Sequence, residues 1–159
     1  MDKIKDKTIQ ILGIGSGILT DDSAGLYVIQ GLQEKSYIPE NVILTNGGTG
    51  GIAIVDLLCD VDHLIVIDAF LTGNVPGTIF EQDFDINSIE NSINLSFAHG
   101  FDLASVINLY NKTLDGKIPE KISIIGIEAC DIKTFSIECT QIVKKSVEKV
   151  INLILEKYI

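Results

Sequence analysis

The side chains in this sequence that could do chemistry are oxygen donors placed where apolar runs end. Asp21 and Asp22 follow the run IQILGIGSGIL, Asn46 follows VILT, Asp68 closes HLIVID and Glu128 closes KISIIGIE. His99 stands apart in SFAHG, before a helical pattern. If the apolar runs are parallel strands, their C-terminal ends share one rim. Asp22, Asp68 and His99 then offer an oxygen, oxygen, nitrogen set suited to a borderline divalent ion such as zinc or nickel, with further coordination positions open. Each also has a plainer reading. Asp21 or Thr20 could cap a helix while Asp22 answers its dipole, Asp68 could be a cap or turn former, and His99 could be a capping or surface histidine.

The other chemistries are weakly served. No serine has an evident base, there is no H-E-x-x-H helix, and no cysteine is paired with a histidine by motif. Gly13, Gly15 and Gly17 mimic a dinucleotide fingerprint, but the position three after Gly15 is Ile18, and the second strand ends on Asn46 instead of a ribose-binding acid. Two carboxylates at the start of the following helix would repel a phosphate and welcome a cation. His63, the other histidine, follows Asp60 and Asp62 and reads as structural or exposed.

The elements that must position these groups alternate. Strands are expected over 9–14, 42–45, 63–68 and 121–127, with an edge or antiparallel strand over 78–82. A helix is expected to open on Asp21 and Asp22 and bury Ala24, Val28, Ile29 and Leu32, and a short helical pattern follows NGGTGG. Leu103, Val106, Ile107, Tyr110 and Leu114 share one helical face, and Val143, Val147, Val150, Ile154 and Tyr158 form the stripe of a final helix whose lysines and glutamates are solvated. The segment 83–95 is polar and carries no clear pattern. The alternation implies an α/β domain with a mostly parallel sheet, and 159 residues without linkers or repeats imply a single domain spanning 1–159.

Composition narrows the partners. A net charge of −10, from 12 basic and 22 acidic residues, argues against nucleic acid and anionic membranes and favours metal ions or a basic partner segment. No apolar run reaches membrane-spanning length, so a soluble, cytoplasmic protein is expected. Cys59, Cys130 and Cys139 show neither C-x-x-C nor finger spacing and read as small, buried, reduced thiols.

Taken in order, these motifs resemble those of the hydrogenase maturation endopeptidases. GIGSGILTDDSAG looks like the family's G-x-G-N-x-L-x-x-D-D/E-x-x-G opening and NGGTGG like its D-G-G-T-x-G loop. IVIDAF and the later PGT look like its strand-Asp-Ala junction and P-G-T turn, SFAHG has its serine shortly before histidine, and SIIGIE resembles its late strand. The resemblance covers nearly the whole chain. It implies a three-layer α/β, phosphorylase/hydrolase-like fold and a hydrolase that removes the C-terminal extension of a nickel-iron hydrogenase large-subunit precursor after nickel insertion. Carried over by motif, the groups that contact the metal fall on Asp22, Asp68 and His99. The nickel would arrive with the substrate, no organic cofactor would be needed, and the protein would be a monomer or weak oligomer. Asn46 replaces the family's usual Asp; it keeps the hydrogen-bonding shape without the charge and is a further candidate catalytic position. A non-cleaving, nickel-dependent checkpoint protein for the large subunit is the alternative, and a nucleotide-binding module the third.

Overall fold

The computed structural model describes residues 7–85 and 103–159. Five strands form one sheet: β1 (Ile9–Gly13), β2 (Val42–Asn46), β3 (His63–Phe70), β4 (Ile79–Asp85) and β5 (Lys121–Glu128). Their order is β2-β1-β3-β5-β4, parallel except for β4, which runs antiparallel along β5 at the edge. The central strands β1 and β3 are buried along their whole length, which explains their near-continuous apolar sequence. Gln10, the polar exception in β1, is satisfied by Thr45, the Leu57 carbonyl and the Cys59 amide.

Helices cover both faces. Helices α1 (Ala24–Gln33) and α3 (Gln141–Lys157) pack on one side over Ile9, Ile11, Ile65, Ile67, Ile125 and Ile127. The other side carries helix α2 (Leu103–Leu114) and the 3-10 helix Gly51–Leu57, packed over Leu12, Leu64, Val66, Ile122 and Ile124. This is the expected three-layer, mostly parallel α/β arrangement. The stripe of α3 is buried at all five expected positions, whereas Leu114, at the end of α2, is 52% exposed. The pattern after NGGTGG forms a 3-10 helix that buries Ile54 alone, because Gly50 and Gly51 hold positive φ and the turn is too short to present a full apolar face.

The N-terminal edge of the sheet is ionic. Lys7 pairs with Glu120 at 2.7 Å, Lys121 with Asp83 at 2.7 Å, and Lys117 with Asp62. His63 is structural: its Nε2 lies 2.7 Å from the Ser123 hydroxyl, and its ring meets Tyr158 edge-on at 5.4 Å. Burial, with Lys121 nearby, pushes the His63 pKa down to about 4. The three cysteines are free thiols, but only Cys139 is buried; Cys59 is half-buried and Cys130 is exposed. Among the described residues no helix is long and apolar enough to cross a membrane.

Candidate functional site

Sheet order creates a switch point at the C-terminal ends of β1 and β3. The connection leaving β1 runs over one face to β2, while the connection leaving β2 crosses the other face to β3, so the chain diverges between β1 and β3. Open α/β sheets bind ligands in such crevices. β1 ends at the pair Gly13 and Ile67, and β3 continues for three residues beyond it. Asp68 is therefore inside its strand and fully buried, not at the strand end expected from sequence. It is the first β3 residue past the end of β1, on the face that α2 covers, and one carboxylate oxygen accepts the Ala69 amide at 2.8 Å.

The β1 loop turns back against this position. The Ile14 amide donates to the Ile67 carbonyl at 2.9 Å. Gly15 passes so close to the following turn that a Cβ there would lie 2.1 Å from the Asp22 carbonyl oxygen. The Asp22 carboxylate accepts the Ser16 amide at 3.2 Å, and its turn packs on β3. Loop closure thus draws Asp22 towards the end of β3 that carries Asp68.

The aspartates do not open α1 as expected. They lie in a separate 3-10 turn, Thr20–Ser23, and neither that turn nor α1 has a side-chain N-cap. Thr20 takes a φ of 49°, and its hydroxyl donates to the Thr134 carbonyl at 2.5 Å. Asp21, fully buried, accepts the amides of Cys130 (2.8 Å), Asp131 (2.9 Å) and Thr140 (2.7 Å) and the Thr140 hydroxyl (3.0 Å). It pins the 129–140 loop beside Asp22. Sequence reading overlooked this role because every partner lies more than a hundred residues away.

Glu128 is likewise an anchor: its carboxylate accepts the Thr72 and Gly73 amides at 2.8 and 2.9 Å and the Thr72 hydroxyl at 2.7 Å, which fixes the loop after β3. Asn46 is exposed and turns its Oδ1 to the Gly48 amide at 2.9 Å. It shares a groove with Gly17, Leu26 and Gln33 on the α1 side, whereas Asp68 faces α2, and β1 stands between their strands. The Asp22 turn packs on the strand that carries Asp68, whereas Asn46 lies on the other face of the sheet. His99 lies outside the described residues, among which no group of three His, Cys, Asp or Glu side chains forms a metal site.

The glycine loop is poorly suited to cradle a phosphate: the Gly15 amide is bound to the Gly48 carbonyl at 2.7 Å and the Ser16 amide to the Asp22 carboxylate, so two of its N–H groups are already engaged and a negative group stands beside them.

Comparison with known proteins places this architecture. The model of the hydrogenase maturation protease family HycI matches residues 26–157. Over 158 residues the chain is 32% identical to a putative hydrogenase maturation protease of Methanocaldococcus jannaschii, covering 96% of this chain and 97% of the relative. It is 30% identical over 121 residues to the hydrogenase 2 maturation protease of Escherichia coli strain K12, covering 75% of this chain and 71% of that protein. The solved hydrogenase maturating endopeptidase HybD from E. coli superposes with a TM-score of 0.76 at 26% identity, over 94% of this chain and 90% of that one. With the family model spanning most of the chain and relatives named proteases and endopeptidases, this chain belongs to the hydrogenase maturation protease family.

Proposed function

We propose that this protein is an endopeptidase that removes the C-terminal extension of a nickel-iron hydrogenase large-subunit precursor once nickel has been inserted. The ion carried by the precursor is part of the substrate, and Asp22, Asp68 and His99 recognise it. The observation that carries this reading is that the Asp22 turn packs on β3, the strand that carries Asp68, beside the β1–β3 switch point of a hydrogenase-maturation-protease fold. Two carboxylates with one imidazole suit nickel, and a ligand set this small leaves positions for the precursor's own donors, so the free protein would hold the metal weakly.

The direction of α2 supports His99 as the third group. The C-terminal part of α2 is tied to the N-terminal edge of the sheet, where the Tyr110 hydroxyl donates to Asp60 at 2.9 Å. A helix of 12 residues is about 18 Å long, so its start points back to the C-terminal rim on the face that holds Asp68. His99 precedes that start by four residues.

Asn46 is the feature that would favour a non-cleaving checkpoint protein. Its bond to Gly48 is one that an aspartate would also make, so Asn preserves the loop and does not by itself argue against cleavage. The test is precursor processing by Asp22→Ala, Asp68→Ala and His99→Ala. Each is expected to abolish the C-terminal cut while circular dichroism and Tm show a folded protein. Normal processing by any of the three would remove that residue from the site.

A further inference from the structure

The C-terminal rim of the sheet differs from the rest of the surface. In a chain of net charge −10, the loops 14–19, 46–52 and 71–78 contain no charged residue. Around the crevice they and the 129–140 loop expose large apolar side chains instead: Ile18 at 56%, Leu71 at 52%, Val75 at 73%, Phe135 at 79% and Ile137 at 69%. Three ion pairs gather at the opposite edge, while Glu138 of the 129–140 loop pairs with Lys144 at 2.8 Å. Single exposed apolar residues are ordinary, but a group of five on the loops that frame one crevice, three of which carry no charge and the fourth only Asp131, Lys133 and Glu138, has the composition of the apolar core of a protein interface with a polar rim.

These side chains are held in place. Leu19 and Ser136 form a parallel bridge in which the Ser136 amide donates to the Ile18 carbonyl at 3.0 Å and the Thr20 amide to the Ser136 carbonyl at 3.1 Å. Asp21 locks the 129–140 loop from below, the Tyr27 hydroxyl donates to the Ile137 carbonyl, and Glu128 fixes the loop bearing Leu71 and Val75. The patch is therefore preorganised, and it is joined through consecutive residues 18–22 to the Asp22 carboxylate.

We infer that Ile18, Phe135 and Ile137, continued by Leu71 and Val75, are the docking surface for the body of the substrate precursor, a protein surface with an apolar centre and basic surroundings. The inference rests on the function proposed above. The apolar side chains form the centre of the contact, with Asp131, Lys133 and Glu138 of the 129–140 loop beside them, while the net negative field of the chain draws a basic partner towards it. Docking there delivers the partner's C-terminal segment to a crevice fixed relative to the patch.

The test is steady-state kinetics on the nickel-loaded precursor with Phe135→Ser, Ile137→Ser and the double variant, alongside Tyr37→Ser, a 69% exposed aromatic between α1 and β2, as control. Phe135 and Ile137 are largely exposed, so the variants should keep the wild-type Tm. The expected result is a rise in KM of about tenfold for Phe135→Ser and more for the double variant, with kcat kept within about twofold, and no change for Tyr37→Ser. Raising salt from about 0.05 to 0.3 M should slow association severalfold. Cleavage by the double variant at wild-type KM overturns the docking surface and leaves the protease reading intact. Salt-independent association overturns the basic surroundings, and self-association of the free protein that is lost in Phe135→Ser would assign the patch to a second copy of this chain. A wild-type protein that neither binds nor cuts the precursor overturns the function and the docking surface together.

Discussion

Asp21 offers the sharpest test of how the site is built. Were it an ordinary helix cap, Asp21→Ala would cost about 0.5–2 kcal/mol. Instead its buried carboxylate receives three backbone amides and one hydroxyl from the 129–140 loop. Bonds to a charged group are worth about 1.5–3 kcal/mol each but are not additive, and removing one partner of a buried charged network costs about 3–5 kcal/mol. We expect about 3–5 kcal/mol for Asp21→Ala. Asp21→Asn can keep the three bonds at one oxygen but turns an amide donor towards the Thr140 N–H, for a loss of about 2–3 kcal/mol. With a urea m-value of about 2 kcal/mol/M, the alanine midpoint falls by about 1.5–2.5 M. The assay is equilibrium urea unfolding followed by circular dichroism, with the m-value checked for constancy. A loss under about 1 kcal/mol for Asp21→Ala would refute the anchoring role and restore the capping one.

The remaining predictions address other parts of the structure. His63 stays neutral in the fold down to pH about 4 while the unfolded imidazole protonates near 6.5, so its contribution is complete above pH 6.5 and is lost as pH falls towards 4. Partial solvent screening limits this to about 1–2 kcal/mol, and His63→Gln should remove that component from a plot of urea stability against pH. Gly25→Ala would place a Cβ 2.4 Å from the carbonyl oxygens of Ile14 and Ile67, for a cost of about 3 kcal/mol or more in thermal unfolding, whereas Gly17→Ala meets nothing within 4 Å and should be near neutral. Asn46→Asp keeps the acceptor for Gly48 and should leave Tm unchanged and the processing rate within about threefold; an increase above tenfold would make residue 46 a catalytic group.

The strands were legible because burial on both faces forces apolar runs. The segments 42–45, 63–68 and 121–127 each lie within an observed strand, and the antiparallel edge after Pro76 was anticipated at 78–82 and observed at Ile79–Asp85. The α3 stripe was legible for the corresponding reason, a period of 3.6 sustained over 17 residues. Local pattern failed where distant contacts decide the structure. Nothing near Asp21 in sequence indicates that its partners are Cys130, Asp131 and Thr140, so its adjacency to Asp22 suggested a shared cap. From sequence Asp68 marks a strand end because the apolar run LIVI is interrupted there, yet pairing with β5 carries the strand on to Phe70. The placing of Asp22 and Asp68 near one end of the sheet was readable from the ends of the apolar runs, while Asn46 shows that sharing a rim does not mean sharing a face of the sheet.

The proposed activity is one cut in a precursor that already carries nickel. The most direct measurement incubates the purified protein with nickel-loaded and nickel-free large-subunit precursor and reads the C-terminus by intact mass. A single truncation is expected in the loaded sample and an unchanged mass in the nickel-free one. Equal cutting of both would contradict recognition of substrate-borne nickel, and binding of the loaded precursor without any change in mass would contradict the protease itself.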